Sequence, residues 1–408
     1  LPDISGDVTI TNSTGSSNLT VRRDTEEFYR IFKVNSGVSA TFDGFTIANG
    51  RTLEDGGGIY NDGGTVNVTN GFTIASSATS GDGGGIYNNG GTVNVTNGTF
   101  SSNLTFFSGG KGGGISNNSG TVNVTNGTFS SNGAFSGGGI SNNGPGSVKI
   151  ANSTFYGNYG VRFTSGFSGA VNGAAIFNIG GTVEVTNSTL FRNGAGGGSG
   201  GGIYNGEGGT VKVTNSNISE NTVGGFFDRG TWGGGIYNDN GTVEVTNSTL
   251  SGNEIFSKGG RGTGIYNKAG TVTLTNSTIS GNKANPDTYN SFPSILPDPI
   301  SSGAIWNGGT LNVKNTIVAQ NTAATNPDVS GSFASGGYNL IGNGTGSTGF
   351  TAVGDLVGTA AAPIDPLLNP LADNGGPTQT VALQPGSPAI NGGDPAFVLT
   401  SGPFIGPP

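Results

Sequence analysis

The chain has 408 residues, a net charge of −8, 81 glycines and no Cys, Met or His. Only 10% of its residues are charged, and the acidic balance weighs against nucleic acid or an anionic membrane surface as partner. Without Cys or His there is no disulfide framework, thiol chemistry or imidazole acid–base, and no apolar run reaches the ~20 residues that span a bilayer.

Taken in chain order, the first expected strand is Val8-Thr9-Ile10-Thr11. The most charged stretch follows, Arg22-Arg23-Asp24-Thr25-Glu26-Glu27, and reads as a solvated edge. A second strand is expected at Val38-Ser39-Ala40-Thr41-Phe42. A phrase then recurs nine times, Gly-Gly-Ile-Tyr-Asn … Gly-Thr-Val-x-Val-Thr-Asn … Ser-Thr-Phe-x-x-Asn, with its first Asn at Asn61, Asn88, Asn117, Asn142, Asn178, Asn205, Asn238, Asn267 and Asn307. The spacing varies from 25 to 40 residues, nearly all of it in one loop. A fixed phrase with variable insertions is the mark of stacked repeats.

Each repeat holds three strand-like pieces, for example Ile86-Tyr87-Asn88, Thr92-Val93-Asn94-Val95-Thr96 and Thr99-Phe100-Ser101. The middle piece alternates strictly, as a strand with one buried face does. Its apolar positions form two rows, Val66 to Leu311 and Val68 to Val313, and the third piece adds a row from Phe100 to Val318. One repeat cannot bury its face alone, so the repeats must stack. The fold expected is all-β, a right-handed parallel β-helix of about eleven coils, roughly 50 Å long at ~4.8 Å per coil.

Asparagines end the middle strands at Asn70, Asn97, Asn126, Asn152, Asn187, Asn215, Asn247, Asn276 and Asn315. Asn tolerates the left-handed conformation a corner needs, and stacked amides can bond from coil to coil. A further row runs from Asn103 to Asn321. Many of these asparagines read as glycosylation sequons, which the strand pattern generates unaided.

Alternation places an aromatic strip outside: Tyr60, Tyr87, Phe177, Tyr204, Tyr237, Tyr266 and Trp306, interrupted by Ser116 and Ser141. Such a strip is a self-stacking ladder, a contact between rods or a platform for glycans. The outward row of the middle strand alternates Lys149, Glu184, Lys212, Glu244, which suits register-setting pairs. The variable loops add aromatics at Phe106, Phe107, Phe135, Phe163, Phe167, Phe226, Phe227, Trp232, Phe256, Tyr289 and Phe292. These either fold back on the rod or meet a partner.

The densest acidic neighbourhood is Asp55, Asp62 and Asp82, a candidate for calcium or a set of solvated turn carboxylates. No other cofactor is expected. The glycine runs lack the Lys-Ser/Thr and the helix of a phosphate loop. Polysaccharide lyases and hydrolases use related folds, but a hydrolase needs a close carboxylate pair and a lyase a placed basic residue. Neither is evident, and no catalytic residue is assigned.

After Asn321 the pattern breaks and Pro becomes frequent. The segment Asn369-Pro370-Leu371-Ala372-Asp373-Asn374-Gly375-Gly376-Pro377-Thr378-Gln379-Thr380-Val381-Ala382-Leu383, followed by Pro385-Gly386-Ser387-Pro388-Ala389-Ile390, resembles the C-terminal choice-of-anchor Q module of bacterial surface proteins. The Gly-Gly-Ile and Phe-x-x-Asn pieces are similar to polymorphic outer-membrane protein repeats. These resemblances span about residues 40 to 394 and fade after Asp394. They imply a secreted or surface-attached right-handed β-helix and supply no catalytic residues. A start at Leu1 rather than Met fits a processed product.

The sequence thus predicts a β-helix over 1–322 and a loop-rich C-terminal module over 323–408. The expected role is an extracellular structural rod that binds copies of itself, stacking through strand edges at its ends. The alternative is a cell-surface adhesin that holds polysaccharide on the aromatic strip; a polysaccharide-cleaving enzyme ranks third.

Overall fold

A computed structural model describes residues 3–13, 19–106, 109–160, 171–224, 231–257, 259–285 and 302–396. Among them there is no helix, and the chain winds as a parallel β-solenoid. About nine full turns stack from Ile59 to Ala319, close to the expected count. The two strands expected ahead of the repeats add themselves below, with Val8 beside Ala40 and Ala40 beside Val66.

Each turn follows the repeat. In the second, Ile86–Asn89, Thr92–Thr96 and Thr99–Ser101 are the three expected strands. The first two belong to one 22-stranded sheet and the third to a 13-stranded sheet. A fourth strand was not expected. Pieces such as Leu104–Thr105 and Gly133–Ala134 stack into a 9-stranded sheet of their own. They are two or three residues long and chemically unlike, so no alternation betrays them.

The three apolar rows point inward. Val93, Phe100 and their stacked equivalents are at most 2% exposed and join one continuous core from Ile31 to Ile341. Phe100, Phe129 and Phe155 stack face to face at 4.7 and 4.6 Å. Burying each such side chain is worth about 1.5–3 kcal/mol relative to leaving it exposed. The Gly runs turn the corner before each first strand. At Gly83, φ is +74° and an added Cβ would lie 2.5 Å from the Ile86 carbonyl oxygen, so only glycine fits.

Beyond Asn321 strands still pair in parallel onto the stack. Val329 lies beside Ile305, Leu340 beside Ile317 and Leu356 beside Leu340. The chain then leaves the stack and forms an antiparallel hairpin of Leu368–Ala372 with Thr380–Leu383. The hairpin folds back along the rod, where Asn217 Nδ2 donates to the Gln379 carbonyl at 3.1 Å.

Candidate functional site

The outward residue of each first strand stands directly above its equivalent one turn below, which builds the aromatic strip into a column. Tyr60 and Tyr87 lie 5.4 Å apart. After the serine gap, Phe177, Tyr204, Tyr237, Tyr266 and Trp306 follow at 5.0, 5.1, 5.3 and 4.4 Å. Trp232 lies alongside, 6.4 Å from Tyr237 and 5.7 Å from Tyr266. The column is more enclosed than alternation alone predicts. Phe177, Tyr237 and Tyr266 are only 5%, 4% and 7% exposed, and Tyr60, Tyr87, Tyr204 and Trp306 are half-buried. Stacking at this spacing covers ring faces and leaves edges.

Cations close both ends of the column. The Arg30 guanidinium lies 5.1 Å from the Tyr60 ring centre and that of Arg261 lies 5.7 Å from Trp306. Burial pushes the Tyr87 phenol up to about 12, with Asp55 and Asp82 adding to it. Burial also raises Tyr60 and Tyr266, and raises Tyr204 and Tyr237 further, with Asp239 the next cause for that pair. These phenols stay neutral and protonated at ordinary pH, and the Tyr204 hydroxyl meets Asp239 Oδ2 at 3.4 Å.

Of the loop aromatics, Phe106, Phe135, Trp232 and Phe256 are half-buried against the rod, and Arg51 covers the Phe106 ring at 5.3 Å. Phe107, Phe163, Phe167, Phe226, Phe227, Tyr289 and Phe292 lie outside the described residues. Among the described residues, Tyr156 and Tyr159 are the exposed aromatics in the middle of the rod, each 43% exposed, and neither belongs to the strip.

All nine corner asparagines from Asn70 to Asn315 are left-handed, with φ between 48° and 54°. Some bond to the turn below, Asn126 to Asn97 at 3.0 Å and Asn276 to Asn247 at 3.1 Å. The unbroken ladders lie inside. The Asn61 row links Nδ2 to the next Oδ1 at 2.7–2.9 Å up to Asn307. The Asn103 row does so at 2.9–3.0 Å up to Asn321. Their burial does not follow from the sequence pattern, although both rows are visible in it.

The two kinds of ladder run in opposite senses. The buried Asn-to-Asn bonds point toward the C-terminal turns, and in the Asn103 row the second amide hydrogen goes to a carbonyl of the turn below, as from Asn132 to Phe100. The surface amides donate toward the N-terminal turns, as in Asn118 to Asn89 and Asn123 to Asn94 to Asn67. Carboxylates receive the last donors: Asp328 beyond Asn321, Asp62 below Asn89 and Asp43 below Asn70. A carboxylate only accepts, so it ends such a column without needing a further partner.

The acidic trio is divided. Asp55 Oδ1 accepts from the Asp82 amide at 2.7 Å, and Asp82 Oδ1 accepts from the Lys111 amide at 2.8 Å. Asp62 sits on another row, at the foot of the Asn89 ladder. Among the described residues no group of three or more His, Cys, Asp or Glu is gathered closely enough to hold a metal ion. Burial lifts the Asp82 carboxyl to about 6, and Asp55 adds to the shift. The charged row keeps the expected register, with Lys149 to Glu184 at 3.9 Å and Lys212 to Glu244 at 3.2 Å.

No family model, curated protein or solved structure matches the chain.

Proposed function

We propose that the chain is a stiff structural rod of the bacterial cell exterior that associates end to end with copies of itself. The observation that carries this is where apolar surface is left uncovered. Among the described residues Leu19, Phe28 and Leu53 are exposed in the first turns and Val353, Leu356 and Val357 in the last, with Ile390 the one exposed aliphatic outside the end turns, on the C-terminal segment. Leu53 and Val353 reach 61% and 77%. Apolar side chains gathered at both ends of a rod suit burial against the next rod. The resemblance to choice-of-anchor Q modules and polymorphic outer-membrane protein repeats supports a secreted or surface-attached setting.

The side-chain rows favour a scaffold over an enzyme, because Asp55 and Asp82 are engaged with backbone amides. Electron microscopy of concentrated native protein tests the proposal. Filaments with an axial repeat near one rod length support it; dispersed short rods at every concentration overturn it.

A second reading, a glycan-binding adhesin, is favoured by Tyr156 and Tyr159. These offer exposed aromatic surface that the enclosed column lacks. Tyr156→Ala with Tyr159→Ala then removes retention on immobilised polysaccharide, and unchanged retention rejects that site.

A further inference from the structure

The outer face of the third sheet changes character along the rod. In the lower turns Thr128, Thr154 and Tyr156 are exposed. From Asn217 onward the equivalent positions become largely buried, as at Ser219, Thr249, Ser280 and Ala319. The chain's own C-terminal segment is fastened beside this stretch. At the upper end Lys314 pairs with Asp394 at 2.8 Å, Asn315 Oδ1 accepts from the Asp394 amide at 3.0 Å, and Gln320 donates to Asp365 at 2.9 Å. At the lower end the Thr378 hydroxyl donates to the Asn215 carbonyl at 3.3 Å, and Asn217 Nδ2 donates to the Gln379 carbonyl. From Asn315 down to Asn215 is three turns, about 14 Å at ~4.8 Å per turn.

Asn217 is the exception in its row. That position is threonine in every other turn from Thr46 to Thr278. An asparagine side chain reaches farther than threonine and carries an amide donor, which a carbonyl on a docked hairpin needs. Its Oδ1 is buried without a hydrogen-bond partner, a cost that the strand itself does not require. The substitution thus marks the one turn where the hairpin tip lands.

The hold is light. The named contacts are a few polar bonds over a surface of Ser, Thr and Ala, each individually weak. Most hairpin residues remain half-buried or exposed. Every copy of the chain carries both the seat and the segment that fits it. Docking within one chain is favoured by proximity, while crowding of copies favours exchange.

We propose that this seat holds the C-terminal hairpin reversibly, and that the hairpin of a second copy takes the same seat, with Asn217 setting the turn at which it lands. This deepens the self-association reading and rests on it.

The absence of cysteine makes a cross-linking test clean. Thr189 is the neighbour of Asn217 one turn below, and Gly376 at the hairpin tip has room for a side chain, with its nearest atom 3.6 Å from an added Cβ. Thr189→Cys and Gly376→Cys in one chain, treated with a short bismaleimide, should give a faster-migrating intrachain product. Adding Asn217→Thr should lower that yield severalfold. Mixing the two single-cysteine chains should give a covalent dimer whose yield rises with concentration. No intrachain product, or one insensitive to Asn217→Thr, overturns the seat. An intrachain product without any dimer on mixing overturns the exchange. Micrographs of the same material report end-to-end filaments separately, so failure of the exchange and failure of the rod-stacking reading are distinguishable.

Discussion

Asp328 accepts the backbone N–H and the side-chain amide of Asn321 on one carboxylate oxygen, at 3.2 and 2.9 Å, and so closes the buried asparagine column. Its other oxygen takes the Asn343 amide at 2.7 Å. Asp328→Asn would turn an NH₂ group toward one of these donors. The expected loss is about 1–3 kcal/mol, the usual cost of a buried group left without its partner. Urea denaturation of the variant against the parent measures it, and an unchanged midpoint contradicts the closing role.

Within the column, Asn158 accepts from the backbone and side chain of Asn132 and donates to Asn193 and to the Phe129 carbonyl. Asn158→Ala should cost roughly 2 kcal/mol or more, since several buried groups lose partners together. Corner Asn97→Ala gives the contrast. It removes an exposed bond and places Ala at φ 54°, so about 1 kcal/mol is expected from the left-handed backbone. Melting curves for both variants should rank them in that order.

Phe129 is sandwiched between Phe100 and Phe155 and fully buried. Phe129→Ala should destabilise the rod by about 3–5 kcal/mol. Phe129→Leu, which keeps most of the volume and matches the Leu190 and Leu250 found in the same row, should cost under about 1.5 kcal/mol. A larger loss for leucine than for alanine in chemical denaturation would contradict the packing account.

Asp82 gives a dependence on pH. Its folded carboxyl is raised from 3.8 to about 6, chiefly by burial. The folded state therefore holds this proton more tightly than the unfolded chain. The stabilisation is fully present below about pH 4 and is lost as pH rises through about 6. It amounts to roughly 2–3 kcal/mol at most. Asp82→Asn keeps an acceptor for the Lys111 amide and has no proton to lose. Its Tm relative to the parent should rise between about pH 4 and 7; a constant difference refutes the assignment.

The apolar ends make a separate prediction. Leu53→Asp together with Leu356→Asp should leave circular dichroism and melting nearly unchanged, since both side chains are exposed. Sedimentation should then shift toward single rods. Persistence of large assemblies would place the contact elsewhere.

Much of the architecture was legible because it is written in rows. Val66 to Leu311 and Phe100 to Val318 repeat one apolar choice in every turn, and burial follows directly from alternation. The corner asparagines were legible for the same reason, since left-handed backbone restricts the choice to a few residues. The fourth strand was not, because pieces such as Gly133–Ala134 and Lys283–Ala284 share no chemistry. Enclosure of the aromatic strip was also hidden. Alternation says which side Tyr237 faces, but not that Tyr204, Tyr266 and Trp232 would crowd around it. Docking of Gln379 near Asn217 joins positions 162 residues apart, and no local pattern records such a contact. One signal was available, the lone asparagine in a row of threonines.

The opposed ladders have a consequence for symmetry. The buried Asn-to-Asn bonds all point toward one end and the surface Asn-to-Asn bonds toward the other, while every stacked strand runs the same way. No rotation that exchanges the two ends restores the same pattern of donors and acceptors. Each rod is therefore a vector, and a chain of such vectors joined tip to tail has a leading and a trailing end that present different chemistry to whatever arrives next.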